Sequence, residues 1–138
     1  MAALAEAELR ELSGGLKQVR PQPNHIDLRR PEIGLVMVRG RIGGDGAPFN
    51  LGEATVTRAS VQLASGEVGI AYVLGREPDK ARLAALCDAL WQSAVHRDAV
   101  ERHILTPIRT RCTIERAHRR AQTAATRAEF FTMVRGDD

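Results

Sequence analysis

The stretch Thr55-Val-Thr-Arg-Ala-Ser-Val-Gln-Leu63, the turn signal Ser65-Gly66 and the run Val68-Gly-Ile-Ala-Tyr-Val-Leu74 constrain this chain most tightly. In an extended strand successive side chains point to opposite faces. Thr57, Ala59, Val61 and Leu63 therefore share one face, with Arg58, Ser60 and Gln62 on the other. The spacing predicts a hairpin with one buried and one polar face, its buried face continued by Val68, Ile70, Tyr72 and Leu74. Upstream, Ile33-Gly-Leu-Val-Met-Val38 is an apolar run of strand length. Three or four antiparallel strands at the centre, with helical patterns outside them, predict an α+β fold with helices packed on one face of a small sheet.

The flanking patterns divide a single domain, 1–138, into five parts. Residues 1–20 read as a helix with the stripe Leu4, Leu9, Leu12 and Leu16, closed by Gly14-Gly15, and 21–32 as a linker opened by Pro21 and Pro23. The strands occupy 33–76 and helices 78–127. Pro78 suits a first helical turn, with Asp79 placed well against the macrodipole. Leu83, Leu86, Cys87, Leu90 and Ala94 form that helix's stripe, with Trp91 at its edge. A short helix over Asp98–Leu105 and a longer one opened by Thr106-Pro107 follow. The longer helix is expected to turn Ile114, Ala117, Ala121, Ala124 and Ala125 inward and Arg109, Arg116, Arg120 and Arg127 outward. Residues 129–136 form an extended C-terminal arm.

Twenty of the apolar residues are alanine and aromatics make up only 4%, so the chain's own core is expected to be thin. A buried alanine methyl contributes far less than the about 1.5–3 kcal/mol of a buried Leu or Phe. Seven arginines against one acid, Glu115, between Arg102 and Arg127 make a basic stripe suited to nucleic acid, polyphosphate or an acidic protein face. A basic nucleic-acid-binding module is thus the alternative function, although that stretch holds no aromatic ring for base stacking. Cys87 and Cys112 stand apart from any C-x-x-C or Cys/His spacing and read as reduced structural thiols. With acids at Glu6 and Glu8 and no long apolar run, the chain is expected to be cytoplasmic, without membrane contact.

Two blocks carry the remaining chemistry. Arg39-Gly-Arg-Ile-Gly-Gly-Asp-Gly-Ala-Pro-Phe-Asn-Leu-Gly-Glu53 is neither a Walker A loop nor a dinucleotide fingerprint. It reads as a phosphate nest flanked by Arg39 and Arg41 or, favoured by chemistry alone, as a wide turn between strands. Arg58 and Arg76 could join Arg39, Arg41 and Arg135 around an anion, or remain solvated singly. The second block, Phe130-Phe-Thr-Met-Val-Arg-Gly-Asp137, puts rings near the C-terminus, where they would dock on this sheet or on a partner. His25, His96, His103, His118 and Glu129 form no nucleophile, acid–base or metal constellation, so no catalytic residue is assigned.

These two blocks, with Thr55-Val-Thr-Arg58 and Val73-Leu-Gly-Arg76, resemble the G subunit family of the carbon–phosphorus lyase core complex from about Arg30 to Asp138. The resemblance implies a core of four kinds of subunit in phosphonate breakdown, with this chain bound tightly to the I subunit and assembled with H and J. With accessory proteins, the G–I pair supports transfer of ribose triphosphate from ATP to an alkylphosphonate, displacing adenine. A separate iron–sulfur subunit then breaks the carbon–phosphorus bond. The implied role is that of a supporting subunit, inactive alone and binding no cofactor itself, with ATP and phosphonate as substrates of the complex. Arg39, Arg41, Gly43, Gly44, Arg58, Arg76, Phe130, Phe131 and Arg135 are its candidate anion or partner contacts.

Overall fold

The computed structural model describes residues 2–21, 23–43 and 45–126. Helices α1 (Ala2–Glu6) and α2 (Leu9–Leu16) precede strands β1 (His25–Arg41), β2 (Pro48–Leu63) and β3 (Val68–Leu74), followed by α3 (Pro78–Gln92), α4 (Arg97–Val100) and α5 (Thr106–Ala125). The strands form one antiparallel sheet in the order β1-β2-β3, with α3 packed against β2 and β3. This is the expected α+β architecture.

The buried face pairs Thr57 with Val73, Ala59 with Ala71 and Val61 with Gly69. Val68, Ile70, Tyr72 and Leu74 instead point outward, which corrects the expectation that they continue the buried face. The reason is backbone proximity. A Cβ on Gly69 would lie 2.0 Å from the Ala85 carbonyl oxygen and 2.4 Å from the Ala89 nitrogen. Only a small residue fits there, so β3 turns its Gly69-x-Ala71 side toward the helix and its larger side chains away. Helix α3 answers with its own small face, Ala81, Ala84, Ala85 and Ala89. Leu83 and Leu86 are only partly buried, and Ala94 is exposed beyond the end of the helix.

The other helices close over this layer around Leu12, Val19, Leu90, Val100, Ile104 and Ile108. Gly14 and Gly15 lie inside α2 and do not end it. A Cβ on Gly15 would stand 2.5 Å from Ile104 Cγ1 and 2.8 Å from the His103 carbonyl oxygen, so this glycine allows α2 to cross there. The crossing falls on a π-helical turn, Glu101–Leu105, that joins α4 to α5 without a break. Proline lacks an N–H and clashes with the carbonyl four residues earlier. For Pro107 that residue is His103, and the widened turn accommodates the conflict. Thr106-Pro107 thus continues a helix rather than opening one.

The linker expected over 21–32 is largely strand, since β1 begins at His25. Pro31 and the charged residues around it hid this. Pairing of β1 with β2 shifts between Asp27 and Arg29 and again between Arg29 and Glu32, leaving Pro31 outside the ladder where its missing N–H costs nothing. Asp27 receives Arg82 Nε at 2.9 and 3.0 Å, fastening this end of β1 to α3. The N-terminal helix is likewise two pieces, α1 and α2. Glu11 starts the second by accepting the Glu8 N–H at 2.8 Å.

Gly69→Ala should lower stability by about 1–3 kcal/mol through overpacking. Gly34→Ala, whose added methyl meets nothing within 4 Å, should stay within about 1 kcal/mol of the parent. Urea unfolding of the two variants measures both.

Candidate partner-binding surface

Strand β3 spans seven residues, whereas β1 spans 17 and β2 spans 16. Its last pair is Val56 with Leu74. Beyond that level β1 and β2 continue as a two-stranded arm, from Leu35 opposite Thr55 to Arg41 opposite Pro48. At about 3.3–3.4 Å per residue the arm reaches more than roughly 20 Å past the third strand. Such a ribbon is marginally stable alone, yet both its faces are apolar. By alternation Leu35 (62% exposed) and Met37 (53% exposed) lie on one face, with Val36 and Val38 on the other. Ile33, at its root, is 52% exposed, and Phe49 and Leu51 expose more apolar surface near the tip. The outward side of the sheet extends the patch through Ile70, Tyr72 and Leu74.

The glycine-rich block is mostly this arm rather than a wide turn. Strand pairing runs through Arg39 opposite Asn50 and Arg41 opposite Pro48, leaving only 42–47 between the strands. Gly43 takes φ +64, a left-handed conformation that glycine adopts without strain. Gly46 closes the turn by donating its N–H to the Ile42 carbonyl at 3.1 Å. Gly44 lies outside the described residues, as do Phe130, Phe131 and Arg135.

Among the described residues, Arg39 and Arg41 do not converge with Arg58. Arg39 and Arg41 sit near the tip, exposed and without an ion pair among the described residues. Arg58 lies on the outward face of the sheet, where its Nη2 is 3.1 Å from Glu32. The same carboxylate takes Arg29 at 3.2 Å. Along the strand, the seven residues from Glu32 to Arg39 put more than roughly 20 Å between that ion pair and the tip. Arg76 sits at the root of the arm, in the turn that carries β3 into α3. Buried Thr57 holds that turn, donating from its hydroxyl to the Gly75 carbonyl at 2.7 Å and accepting the Glu77 N–H at 2.9 Å.

Part of the basic stripe is used within the chain. Arg111 grips Glu11 through Nε at 2.7 Å and Nη2 at 2.9 Å, bonds Glu115 at 2.9 Å, and donates to the Glu6 carbonyl at 3.0 Å. Arg116 takes the Glu6 carboxylate at 2.6 and 2.7 Å, and Arg109 pairs with Glu101. The first half of α5 is thereby strapped to α1 and α2, leaving less free charge for nucleic acid. Three acids, Glu6, Glu8 and Glu11, near the start of a chain with an arginine-rich helix near its end were the sequence signal for this strap. Only Ile108 and Cys112 of α5 are buried. The face expected to turn inward, Ile114 and the alanines after it, is exposed, with Ile114 at 65%. No described element of the chain covers it.

Arg111 holds the Glu11 carboxyl below its ordinary range, chiefly by hydrogen bonding and further helped by the Glu8 backbone N–H. Burial first, then the neighbouring Asp88, pushes the Cys87 thiol up to about 12. Burial raises Cys112 as well, followed by its hydrogen bond to Glu6. His96 is buried and structural: its Nε2 carries the hydrogen donated to the Pro21 carbonyl at 3.1 Å. Among the described residues no cluster of His, Cys, Asp or Glu is arranged to hold a metal ion, and no helix is long and apolar enough to cross a membrane.

The chain is similar to known proteins along its length. The family model described as phosphonate metabolism protein PhnG matches residues 1–136. A protein of Rhizobium meliloti (strain 1021), named alpha-D-ribose 1-methylphosphonate 5-triphosphate synthase subunit PhnG, is 52% identical over 138 residues, covering 100% of this chain and 88% of its own length.

Two outcomes test the strap and the thiols. Glu11→Ala should cost about 1 kcal/mol by removing a helix-start bond and an ion-pair partner. Because the folded carboxyl titrates below its unfolded value, its contribution is complete above about pH 4.3 and fades as pH falls through the folded value. The gap between parent and variant should therefore narrow in acid unfolding curves. In the native chain at pH 8, Cys87 should remain unlabelled by a thiol reagent that modifies it fully in urea.

Proposed function

The chain belongs to the PhnG family of phosphonate metabolism proteins, and on that premise we propose that it is a supporting subunit of a cytoplasmic α-D-ribose 1-methylphosphonate 5-triphosphate synthase within a carbon–phosphorus lyase core complex. The observation that carries this reading is the 52% identity to a subunit of that name, sustained along all of this chain. The partners are the I subunit and, with it, H and J. The assembly uses ATP and an alkylphosphonate as substrates: the phosphonate becomes bonded to the ribose carbon that adenine leaves, with the triphosphate retained.

The exposed arm supports this role physically. No described residue covers its apolar side chains, which suits a subunit completed by its neighbours. Arg39 and Arg41 stand exposed at the tip, beside the turn over 42–47. From there they approach the triphosphate-handling region of the assembly or buttress the partner's strands beside it. Arginine suits either task, because its planar fork binds phosphate or carboxylate oxygens in pairs. Catalytic groups belong to the other chains in this reading.

Arg39→Gln with Arg41→Gln should leave the fold unchanged and reduce either complex assembly or adenine release from ATP by about tenfold or more. Size-exclusion chromatography of the co-expressed subunits reads the first, and a nucleotide-release assay the second. Normal assembly together with normal transfer would remove both arginines from the mechanism.

A further inference from the structure

The two edges of the sheet are treated differently. At the β3 edge, side chains of α3 occupy the exposed backbone groups: Asp88 Oδ2 accepts the Ile70 N–H at 3.1 Å, and Gln92 Nε2 donates to the Val68 carbonyl at 2.8 Å. That is how a protein blunts an edge that must not pair. Along the outer edge of β1, from His25 to Arg41, no hydrogen bond from another described residue is made. The edge is long, and its centre, Ile33 to Val38, exposes apolar side chains on both faces. Sheet edges of this kind accept a further strand, main chain supplying the bonds and alternate side chains the fit.

Charge decides what that strand is. Arg29 and Arg30 flank the apolar centre on one side, Arg39 and Arg41 on the other. Glu32, the one acid in β1 beyond Asp27, already holds Arg29 and Arg58. A second copy pairing antiparallel about a two-fold axis at Leu35 would set Arg41 against the mate's Arg29, like charges directly opposed. We infer that the outer edge of β1 receives an extended strand from another subunit, apolar over about six residues and flanked on both sides by Asp or Glu. This rests on the subunit reading above and adds to it the surface and the chemistry of the partner segment.

The test uses the full chain, alone and co-purified with its co-expressed neighbouring subunits, read by hydrogen–deuterium exchange and by size-exclusion chromatography. In the complex, alternate amides of residues 33–38, those facing away from β2, should slow by about a hundredfold or more relative to the free chain. Leu35→Gln with Met37→Gln should leave the melting temperature of the free chain unchanged and weaken assembly by about tenfold or more. Val95→Lys, at an exposed site away from the arm, should assemble normally. Arg30→Glu with Arg41→Glu should weaken assembly comparably, and rising salt should weaken the parent complex.

A parent complex in which those amides stay fast, or one that the glutamine pair leaves intact, would overturn strand addition here. A free chain that dimerises with the same amides protected would give the edge to a second copy, and would also overturn it. Failure of the parent chain to co-purify at all would instead bring down the subunit reading, and this inference with it.

Discussion

The packing of this protein rests on a backbone-to-backbone approach that only small residues permit. Strand β3 lies so close to α3 that a methyl group on Gly69 would overlap the carbonyl of Ala85. Ala71, Ala81, Ala84, Ala85 and Ala89 extend the same small-on-small contact. Its strength comes from the density of atoms in contact, since interiors gain from many short-range attractions that any gap forfeits. The alanine-rich composition is therefore a device for bringing layers together, and the core it makes is shallow but closely fitted. A second glycine, Gly15, repeats the device where α2 meets the widened turn before Pro107.

That close fit explains the rest of the surface. With Gly69, Ala71 and Val73 turned to the helix, Val68, Ile70, Tyr72 and Leu74 of β3 are left to point outward. With α3 only 15 residues long, the helical layer ends before the strands do. The arm and the outward face thus have a common origin in a helical layer matched to one end of the sheet. Ion pairs carry out the remaining fastening, at Asp27–Arg82 and at the strap between Arg111, Arg116 and the acidic N-terminal helices. They are partly exposed and worth little each. Their value is positional, since they fix where α1 and α2 lie against α5 and where β1 lies against α3.

Much of this was legible in the residues. The alternation over 55–63 placed Thr57, Ala59, Val61 and Leu63 correctly, and the α+β order followed. The face of β3 was misread because hydrophobicity favours burying Ile70 and Tyr72, while steric fit at Gly69 decides otherwise, and a single-strand pattern carries no information on what packs above it. The first part of β1 was hidden by Pro31 and four charged residues, features of a bulged edge strand that look the same as a linker. The glycine block was recognisable as important, but its extent as paired ribbon was set by the β2 register, which spacing alone does not reveal. The arginine stripe was visible in full. The strap made by Arg111 and Arg116 was not, because their partners Glu11 and Glu6 lie 100 and 110 residues away in sequence.

The plugging of β3 by Asp88 and Gln92 has a consequence for how the molecule behaves in company. A sheet with two receptive borders can be extended indefinitely, copy upon copy, and tends toward fibres. Here two backbone groups of one border, the Ile70 N–H and the Val68 carbonyl, are taken by side chains of the molecule's own helix, and the other border is flanked by arginines that oppose self-templating. Such an arrangement discourages growth from the β3 border and leaves the β1 border as the side open to an incoming strand.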